Sequence, residues 1–470
     1  MPLKPEFMFA FSAVKILTPV LILTASLPAQ QPGPAGGLSL GQAIALALKN
    51  YPSIRVSQEQ INAAAAGIQL ARTAYLPRVD MLAQANRATR NNVFGLLLPQ
   101  SVIPSMSGPV LGTDNLGTAW GSAIGTLVTW EPFDFGLRQA GVAAAAAARA
   151  RQEATFKRTE FDVTAAAADA YVTLAATQET VRAAQAGVDR AQVLARTIGA
   201  LVNAQLRPGA DASRSQAELA AARTQLIQAQ QTVEVARANL SQFVGLDPGQ
   251  ITLSAPRLRD LPPDRAVNPL DAAANPLAVE QNAAVEQLKT QLRALERSYF
   301  PRFALQGAAY ARGSGAETNG HNLGGLNGLA PNIQNYALGF TVTFPIFDFA
   351  SIRAREAVQS ATIRAEAARS QQIAVDLKAR WNAAVATLAG ARSVAANTPA
   401  QVEAARAATN QAAARYQSGL GNIDSVAEAQ RLLTQAEIDD ALARLGVWRA
   451  LLGVATAAGD LQPFIAEVSQ

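Results

Sequence analysis

The chain contains one strand-to-helix sequence twice, and this repetition limits the folds open to it more than any other feature. The block VTWEPFDFG begins at Val128, and its counterpart VTFPIFDFA begins at Val342, 214 positions later. Upstream, YLPR at Tyr75 is matched by YFPR at Tyr299, 224 positions later. Repetition at a fixed spacing indicates one structural unit used twice. The chain should therefore fold as an internal duplication in which each copy carries the same elements in the same order.

The two predicted repeats span residues 30–246 and 276–460, with a Pro-rich connector over 247–275 and a C-terminal tail over 461–470. Alternating apolar and polar residues predict two strands in each repeat. Long Ala-rich runs without Gly–Pro punctuation predict the helices that follow. In the first repeat we expect strands near 78–90 and 118–131, a long surface loop over 91–117, a long helix over 134–204 and a return helix over 211–245. In the second we expect strands near 302–312 and 336–344, a long helix over 350–417 and a return helix over 423–459.

The first long helix would reach about 100 Å at 1.5 Å per residue, too long for a compact domain. Shorter helices returning beside it predict a long antiparallel helical layer. The second long helix contains Thr398-Pro399-Ala400-Gln401, a capping-box pattern with Pro at the first helical position. We therefore expect a kink, or a break and restart, at Pro399.

Composition excludes several classes of protein. The chain has 470 residues and no Cys, which rules out disulfides, Cys-based metal sites and a lipid-modified N-terminal Cys. Its net charge of +5 comes mainly from Arg scattered along helical runs, so we expect solvated helix faces and no nucleic-acid partner.

Catalysis is not expected either. His321 is the one histidine and lies in a Gly/Asn-rich stretch, so it supports neither a metal cluster nor a conventional triad. No GxxxxGK phosphate loop is present, so the chain carries no sequence signature for using ATP, and any energy its function needs would have to come from a partner. We predict no enzyme activity, no cofactor and no metal.

The N-terminus reads as a secretory signal peptide over residues 1–29. Lys4 and Lys15 precede an apolar run that ends near Ala25, and Pro28-Ala29-Gln30 follows as a cleavage region. The apolar run is short for a membrane span, so we expect an exported mature protein without a transmembrane helix.

The strands carry large apolar residues on one face and small or polar residues on the other. A soluble sheet packed on a core would have this pattern. A bilayer-crossing strand would have it too, and would add aromatic residues near both ends. The predicted girdle comprises Trp120, Trp130, Tyr336 and Phe344, and the predicted strand–helix junctions carry Pro77, Pro132, Pro301 and Pro345. The signal peptide and long loops favour the membrane alternative.

Four membrane strands cannot close a barrel, and lipid does not tolerate open sheet edges. Several chains would therefore share one barrel, with their long helices forming one tube beneath it. A tube with a barrel at one end is a duct. The alternative from another class is an exported, Ala-rich coiled-coil rod without a pore. It leaves the four alternating strands and the repeated order of elements unexplained.

The paired strand, long helix, turn and helix plan resembles the TolC family of outer-membrane efflux proteins. The motifs that carry the resemblance are Tyr-x-Pro-Arg, Pro-x-Phe-Asp-Phe, and Arg415-Tyr416-x-x-Gly419 followed by Ala429-Gln430. Together with the order of elements they cover residues 38–460. The resemblance implies a mixed membrane α/β fold in which each chain gives four transmembrane strands to a 12-stranded homotrimeric β-barrel. A long periplasmic α-helical barrel would continue it.

The resemblance also implies partners. The homotrimer would sit in outer-membrane lipid and dock onto a periplasmic adaptor (membrane-fusion) protein and an inner-membrane transporter. Such a duct exports small molecules, or proteins as in type I secretion, and the sequence does not separate these two uses.

By the same resemblance, a constriction closes the periplasmic end. Tyr416 and Asp211 occupy the places of a hydrogen-bonded pair, but Gly421 stands where relatives carry an Arg, so the lock should be weaker or built otherwise. Relatives place two acids, three residues apart, at the positions of Ser425 and Glu428. Here Asp424 and Glu428 share one helix face and could form an acidic ring, or else a surface pair near a helix N-terminus. The tip residues expected to dock the adaptor, or to pack on their own hairpins, are Leu206, Gly419 and Leu420.

Overall fold

The computed structural model describes residues 37–89, 117–267, 269–317, 319 and 321–469. The predicted signal peptide and nearly all of the predicted 91–117 loop lie outside the described residues, so both remain predictions.

Each repeat contributes helices and two strands to the fold. The first contains α1 Leu40–Asn50, α2 Pro52–Thr73, β1 Arg78–Thr89, β2 Thr118–Phe133, α3 Leu137–Asn203 and α4 Gly209–Val244. The second contains α5 Pro276–Glu296, β3 Arg302–Ser314, β4 Ile333–Thr343, α6 Phe349–Gln417, α7 Ile423–Ala458 and α8 Gln462–Ser469. Two 3₁₀ turns, Pro248–Gln250 and Pro256–Arg259, lie in the connector, and a third, Arg297–Tyr299, leads into β3.

The four strands form one antiparallel sheet in the order β1-β2-β3-β4, so the two repeats lie side by side in it. Val79 is opposite Val128, Val128 is opposite Gly307, and Gly307 is opposite Leu338. Side chains of residues that lie directly opposite each other in neighbouring strands project from the same side of the sheet, so these four positions share one face. Pro132, which has no N–H to donate, falls where the β2–β3 register shifts between Trp130 and Phe133.

The face that contains Val79 and Val128 is apolar and exposed. On β4, Tyr336 and Leu338 are 84% and 82% exposed, and Phe340 follows on the same face. Of the predicted girdle, Trp130, Tyr336 and Phe344 are exposed, whereas Trp120 is partly covered by the guanidinium of Arg87, 5.6 Å from its ring.

The opposite face of the sheet is small or polar, with one apolar island. Leu82, which breaks the alternation of the first strand, packs with Leu127, Ala308 and Tyr310 on this face. Gly125 lies beneath Tyr310, where an added Cβ would come within 2.3 Å of the tyrosine Cβ. The irregular Leu in the sequence pattern is therefore part of a small packed cluster.

The long helices form two hairpins, α3 with α4 and α6 with α7, and α3 also packs against α2, α5 and α7. Next to the sheet, the helices follow each other in the order α2-α3-α5-α6, each packed on the next. This order copies the strand order, because each strand continues into, or out of, one of these helices.

The largest hydrophobic core joins the two repeats at mid-length. It gathers Tyr171 of α3 and Trp448 of α7 with the connector and the C-terminal residues. The Tyr171 hydroxyl lies 3.0 Å and 2.9 Å from the carbonyls of Leu38 and Ser254, and the Trp448 indole donates to the Asp260 carbonyl at 2.8 Å. The residues predicted as a C-terminal tail form α8, whose Phe464 is buried against Trp448.

The predicted break and restart at Pro399 is wrong, since α6 runs continuously from Phe349 to Gln417 with Pro399 inside it, while the alternative of a kink stays a prediction. Thr398 does not cap a new helix. Its hydroxyl lies 2.8 Å from Oδ1 of Asp440 on α7 and 3.5 Å from the carbonyl of Ala395, the acceptor that Pro399 cannot use. Packing against α7 keeps the helix intact at a position where local sequence rules predict a stop.

Within the described residues, one helix, Ile423–Ala458, is long and apolar enough to cross a membrane by length and composition. Its apolar side chains include Leu445, Trp448 and Leu452, which are buried in the core between the repeats.

Candidate functional site

The candidate site lies where the two helical hairpins turn, and the two turns have the same geometry. Gln205 and Gly419 occupy equivalent positions and both have positive φ, 61° and 76°. The next residue closes each turn: the amide of Leu206 donates to the Leu201 carbonyl, and that of Leu420 to the Arg415 carbonyl, both at 2.9 Å. The side chains of Leu206 and Leu420 are exposed at these turns.

A side-chain hydrogen bond joins the hairpins at the tips. The phenol of Tyr416, in the last turn of α6, donates to Oδ2 of Asp211, in the first turn of α4, at 2.8 Å. The ring of Tyr416 is buried with Ile198, Ile423 and Val426. The two residues that the sequence paired by resemblance are therefore in contact in the structure.

The environment of Tyr416 keeps its hydroxyl protonated. Burial, followed by the hydrogen bond to and the negative charge of Asp211, raises the pKa of Tyr416 to about 12, while the nearby Arg207 acts in the opposite direction. The hydroxyl is therefore a donor over the whole physiological pH range.

Arg207 completes this contact and was missed from the sequence. Its guanidinium carbon lies 4.4 Å from the centre of the Tyr416 ring, and its Nη2 donates to the Tyr416 carbonyl. Arg207 in the first turn is the repeat-equivalent of Gly421 in the second. The resemblance places an arginine at Gly421 in the second repeat, and the first repeat of the same chain supplies one at the equivalent position. Aligning the two tip turns would have found it.

The two predicted ring acids begin α7 on its exposed side. Their side chains are 66% exposed at Asp424 and 70% exposed at Glu428. Asp424 pairs with Arg214 of α4 at 3.3 Å, and Glu428 pairs with Arg431 one turn further along α7. Ser425 bonds within the start of its own helix: its amide donates to Oδ1 of the helix-capping Asn422, and its hydroxyl donates to the Asn422 carbonyl.

Arginines therefore interleave with the acids at this level of the hairpins. Arg214 also contacts Glu218 at 3.2 Å, and Glu218 contacts Arg431 across the α4–α7 gap at 3.8 Å. The spacings of Arg214 to Glu218 and Glu428 to Arg431 in the sequence predict pairs within each helix. The contacts between helices depend on how the hairpins pack, which the spacing does not specify.

A second set of links ties the hairpins further from the tips. Arg190 of α3 donates to Oγ1 of Thr434 at 2.9 Å and to Oε2 of Glu437 at 2.8 Å. Glu437 also lies 3.8 Å from Arg406 of α6. Gly187 allows this close approach, because an added Cβ would lie 2.9 Å from Cγ2 of Thr434.

The strand–helix junctions differ between the repeats despite their shared sequence. Both carboxylate oxygens of Asp134 accept backbone amides, from Gly136 at 3.1 Å and Arg138 at 2.7 Å, and Oδ2 also accepts from Nε of Arg138. Burial opposes ionisation of Asp134, but these bonds outweigh it and lower its pKa. The equivalent Asp348 is exposed and its side chain makes no bond to the start of α6.

The arrangement at the tips has the geometry of a closure between helices. His321 is exposed in its loop. Throughout the described part of the chain, no three His, Asp or Glu side chains converge to hold a metal ion.

Comparison with known proteins identifies the family. The sequence model of outer membrane efflux proteins matches residues 43–246 and 272–460, and the unmatched stretch between them falls within the connector. The chain belongs to the outer membrane efflux protein family, which confirms the resemblance found in the sequence. Its location is the outer membrane. No curated protein matches the chain.

Solved structures share the fold over nearly the whole length. The outer-membrane channel OprN has 21% identity and a TM-score of 0.70, with 89% of each chain covered. The Campylobacter jejuni outer membrane channel CmeC has 14% identity and a TM-score of 0.70, with 99% of this chain and 98% of that chain covered. The open state of the Neisseria gonorrhoeae outer membrane channel MtrE has 18% identity and a TM-score of 0.69, with coverages of 90% and 89%.

Proposed function

We propose that three copies of this chain form one export duct that crosses the outer membrane and continues through the periplasm. The observation that carries this proposal is the sheet, whose apolar face is exposed and whose outer strands β1 and β4 each pair on one side only within the described residues. Unpaired strand edges are costly in lipid, and closure with further copies removes them. Three copies of four strands give the 12-stranded barrel that the resemblance implies.

The duct exports small molecules, or proteins, delivered by an inner-membrane transporter through a periplasmic adaptor. The exposed tip residues Leu206, Gly419 and Leu420 are the proposed adaptor contacts, since they lie at the turns that end both hairpins. Membership in the efflux family and the likeness to solved channels support this role.

The tips act as the gate. In the closed state Tyr416, Asp211 and Arg207 hold the α6–α7 hairpin against the α3–α4 hairpin, and opening separates them. Asp424 and Glu428, with Ser425 between them, are the proposed ring at the constriction. Their field favours cations, and the arginines Arg214 and Arg431 reduce that preference while the hairpins are joined.

Extraction and mass determine whether the proposal holds. The protein should leave outer membranes only with detergent, and its detergent-corrected mass should be near three protomers. A protein that leaves with salt or carbonate, or that is monomeric in detergent, would favour the coiled-coil rod and remove the argument for a shared barrel.

A further inference from the structure

The two repeats differ in what packs against the end of their return helix. In the first repeat, α1 lies against the end of α4, and its Leu40 shares one buried cluster with Leu240 and Val244. The residues 214 positions further on are Val454 and Ala458, at the end of α7. Both are smaller than their counterparts, so the end of α7 leaves more space beside it than the end of α4.

The ends of the two return helices are otherwise built alike. Each ends at a glycine with positive φ, 72° at Gly245 and 84° at Gly459. An asparagine from the segment that leads into the next short helix bonds each end. Nδ2 of Asn50 donates to the carbonyl one residue before Gly245 at 2.7 Å, and Nδ2 of Asn275 donates to the carbonyl two residues before Gly459 at 3.3 Å. The difference between the repeats therefore lies in the segment before each asparagine.

That segment is a helix in the first repeat and irregular in the second. By the 224-position spacing between the repeats, α1 corresponds to residues 264–274, whose described part is irregular or in a turn. Pro269 within it has no N–H for a helical hydrogen bond. Asp264 stands at the place of Leu40, and its side chain is 85% exposed. The aliphatic group that Leu40 brings to the first repeat is thus missing from the equivalent place in the second.

A cavity of about 610 Å³ lies where these differences meet, between the connector, α7 and α8. Small-molecule sites typically measure about 300–1,000 Å³ and are lined mainly by apolar side chains. The apolar part of this lining includes Val267, Leu451, Val454, Ala458 and Phe464. The cavity therefore has the size and the wall to hold a compact apolar group.

A buried carboxylate with an unused oxygen also lines this cavity. Glu467 of α8 is only 8% exposed, and its Oε2 pairs with Arg265 at 2.8 Å. Its Oε1 has no hydrogen bond to any residue that the structure describes, and Nη2 of Arg257 lies 3.6 Å from it, beyond hydrogen-bond distance. A buried acceptor without a donor is costly. A bound molecule with an N–H group could supply that donor.

The charges around the cavity favour a cation. Three carboxylates line it, those of Asp271, Asp460 and Glu467, together with the two guanidinium groups of Arg265 and Arg392. Both arginines are already ion-paired with acids, at 2.8 Å and 2.6 Å. An anion would meet an excess of negative charge here, whereas a protonated amine would meet an acceptor.

We propose that this cavity binds a small amphipathic cation. Its apolar body packs on Val454, Ala458 and Phe464, in the space that corresponds to that of α1 in the first repeat. Its protonated amine donates to Oε1 of Glu467. The site goes beyond the proposed function and does not depend on it, because all of its lining residues belong to one chain.

Direct binding of 1-naphthylmethylamine, which is protonated at neutral pH, tests the proposal. Calorimetry on the full-length chain in lipid nanodiscs, with empty nanodiscs as the blank, should show one probe bound per chain. The matched neutral probe, 1-naphthylmethanol, should bind about ten-fold more weakly, because it lacks the charge that strengthens a hydrogen bond to a carboxylate. Equal binding of the amine and the alcohol would overturn the role of Glu467.

Filling the cavity tests its position. The double variant Val454→Leu with Ala458→Val introduces the residues that the first repeat carries at these places, Leu240 and Val244. It should remove measurable binding of the amine, while the melting temperature without probe stays at or above that of the wild type. Undiminished binding to this variant would show that the probe binds elsewhere, in the lipid or at another surface.

Glu467→Gln tests the charge. It should weaken binding of the amine about ten-fold and leave binding of the alcohol unchanged, whereas a general loosening of the cavity would weaken both. Glu286→Gln, the same change at an exposed acid of α5, should alter neither. Absence of amine binding to the wild type would overturn the proposal whatever the mass of the assembly, and a monomeric mass with intact binding would reject only the shared barrel.

Discussion

Tyr416 donates a 2.8 Å hydrogen bond to Asp211, and this bond joins two helical hairpins that come from different repeats of the chain. Both residues lie within one turn of a hairpin tip. Because the link lies at the ends of the two hairpins, it opposes their separation with the greatest mechanical advantage. The contact is therefore well placed to hold the tips together.

Replacing Tyr416 with Phe should raise the conductance of the closed channel in planar bilayers. The substitution removes the donor, and a hydrogen bond to a charged acceptor contributes about 1.5–3 kcal/mol, so the open population should rise about 10- to 100-fold. Asp211→Asn is the matched control, because the amide oxygen can still accept, and its effect should be smaller. If Tyr416→Phe had the same closed-channel conductance as the wild type, the Tyr416–Asp211 hydrogen bond would not hold the tips together.

Arg207→Ala should also open the tips, by about 10-fold, because it removes a cation–π contact and a donor to the Tyr416 carbonyl. Arg207→Lys keeps the charge but loses the planar stacking, and should lie between the wild type and Arg207→Ala. The double variant with Tyr416→Phe should open less than the product of the single effects, since Arg207 acts through the placement of Tyr416. Single-channel conductance measures all three, and independent, multiplying effects would show that Arg207 acts elsewhere.

Neutralising the tip acids should change ion selectivity. Asp424→Ala with Glu428→Ala should reduce the preference for cations, measured as the reversal potential in a KCl gradient. Arg214→Gln with Arg431→Gln removes the paired positive charges and should increase that preference. Selectivity that is unchanged in both double variants would rule out a ring at the constriction and favour a surface acid pair.

The duplication supplies a matched control for the junction carboxylates. Asp134→Ala should lower the free energy of unfolding by about 2–4 kcal/mol, because it removes acceptors at the start of α3 and leaves the covered Arg138 unpaired. Asp348→Ala, at the equivalent but unbonded position, should change it by less than about 0.5 kcal/mol. Thermal unfolding in detergent compares the two variants.

The Asp134 contribution should depend on pH in a defined direction. Its pKa in the folded chain is lowered from the ordinary value of 3.8. The difference in stability between wild type and Asp134→Ala should thus be complete above pH 3.8 and shrink as pH falls through the lower, folded-state pKa. A difference that grows on acidification would contradict an ionised, hydrogen-bonded Asp134.

Gly187→Ala should loosen the attachment of α7 to α3 and destabilise the protein by about 1–3 kcal/mol, since the new Cβ meets Thr434. Gly199→Ala, on the same helix with open space around it, should instead stabilise by up to about 1 kcal/mol. Adding Thr434→Ala to Gly187→Ala should recover part of the loss. Unfolding in denaturant distinguishes these outcomes, and equal effects at both glycines would show that α3 and α7 do not approach closely there.

Local sequence signals predicted individual elements well where they were repeated or strongly periodic. The strand expected at 302–312 is Arg302–Ser314, and the helix expected at 423–459 is Ile423–Ala458. The failures occurred where packing overrides local preference. Pro399 remains inside α6 because Thr398 bonds Asp440 of another helix, and the expected tail folds as α8 because Phe464 packs on Trp448. Asp440 lies 42 positions beyond Thr398, and Trp448 lies 16 positions before Phe464, so a short window around either position does not contain its partner.

The sequence by itself determined the duplication, the alternation of the strands, the length of the helices and the family, because periodicity and repetition are properties of neighbouring residues. The tertiary structure decided which charges meet. It placed Arg207 on Tyr416 and paired Asp424 with Arg214, contacts that join residues about 210 positions apart. Those outcomes depend on which helices become neighbours, which only the packing of the whole chain specifies.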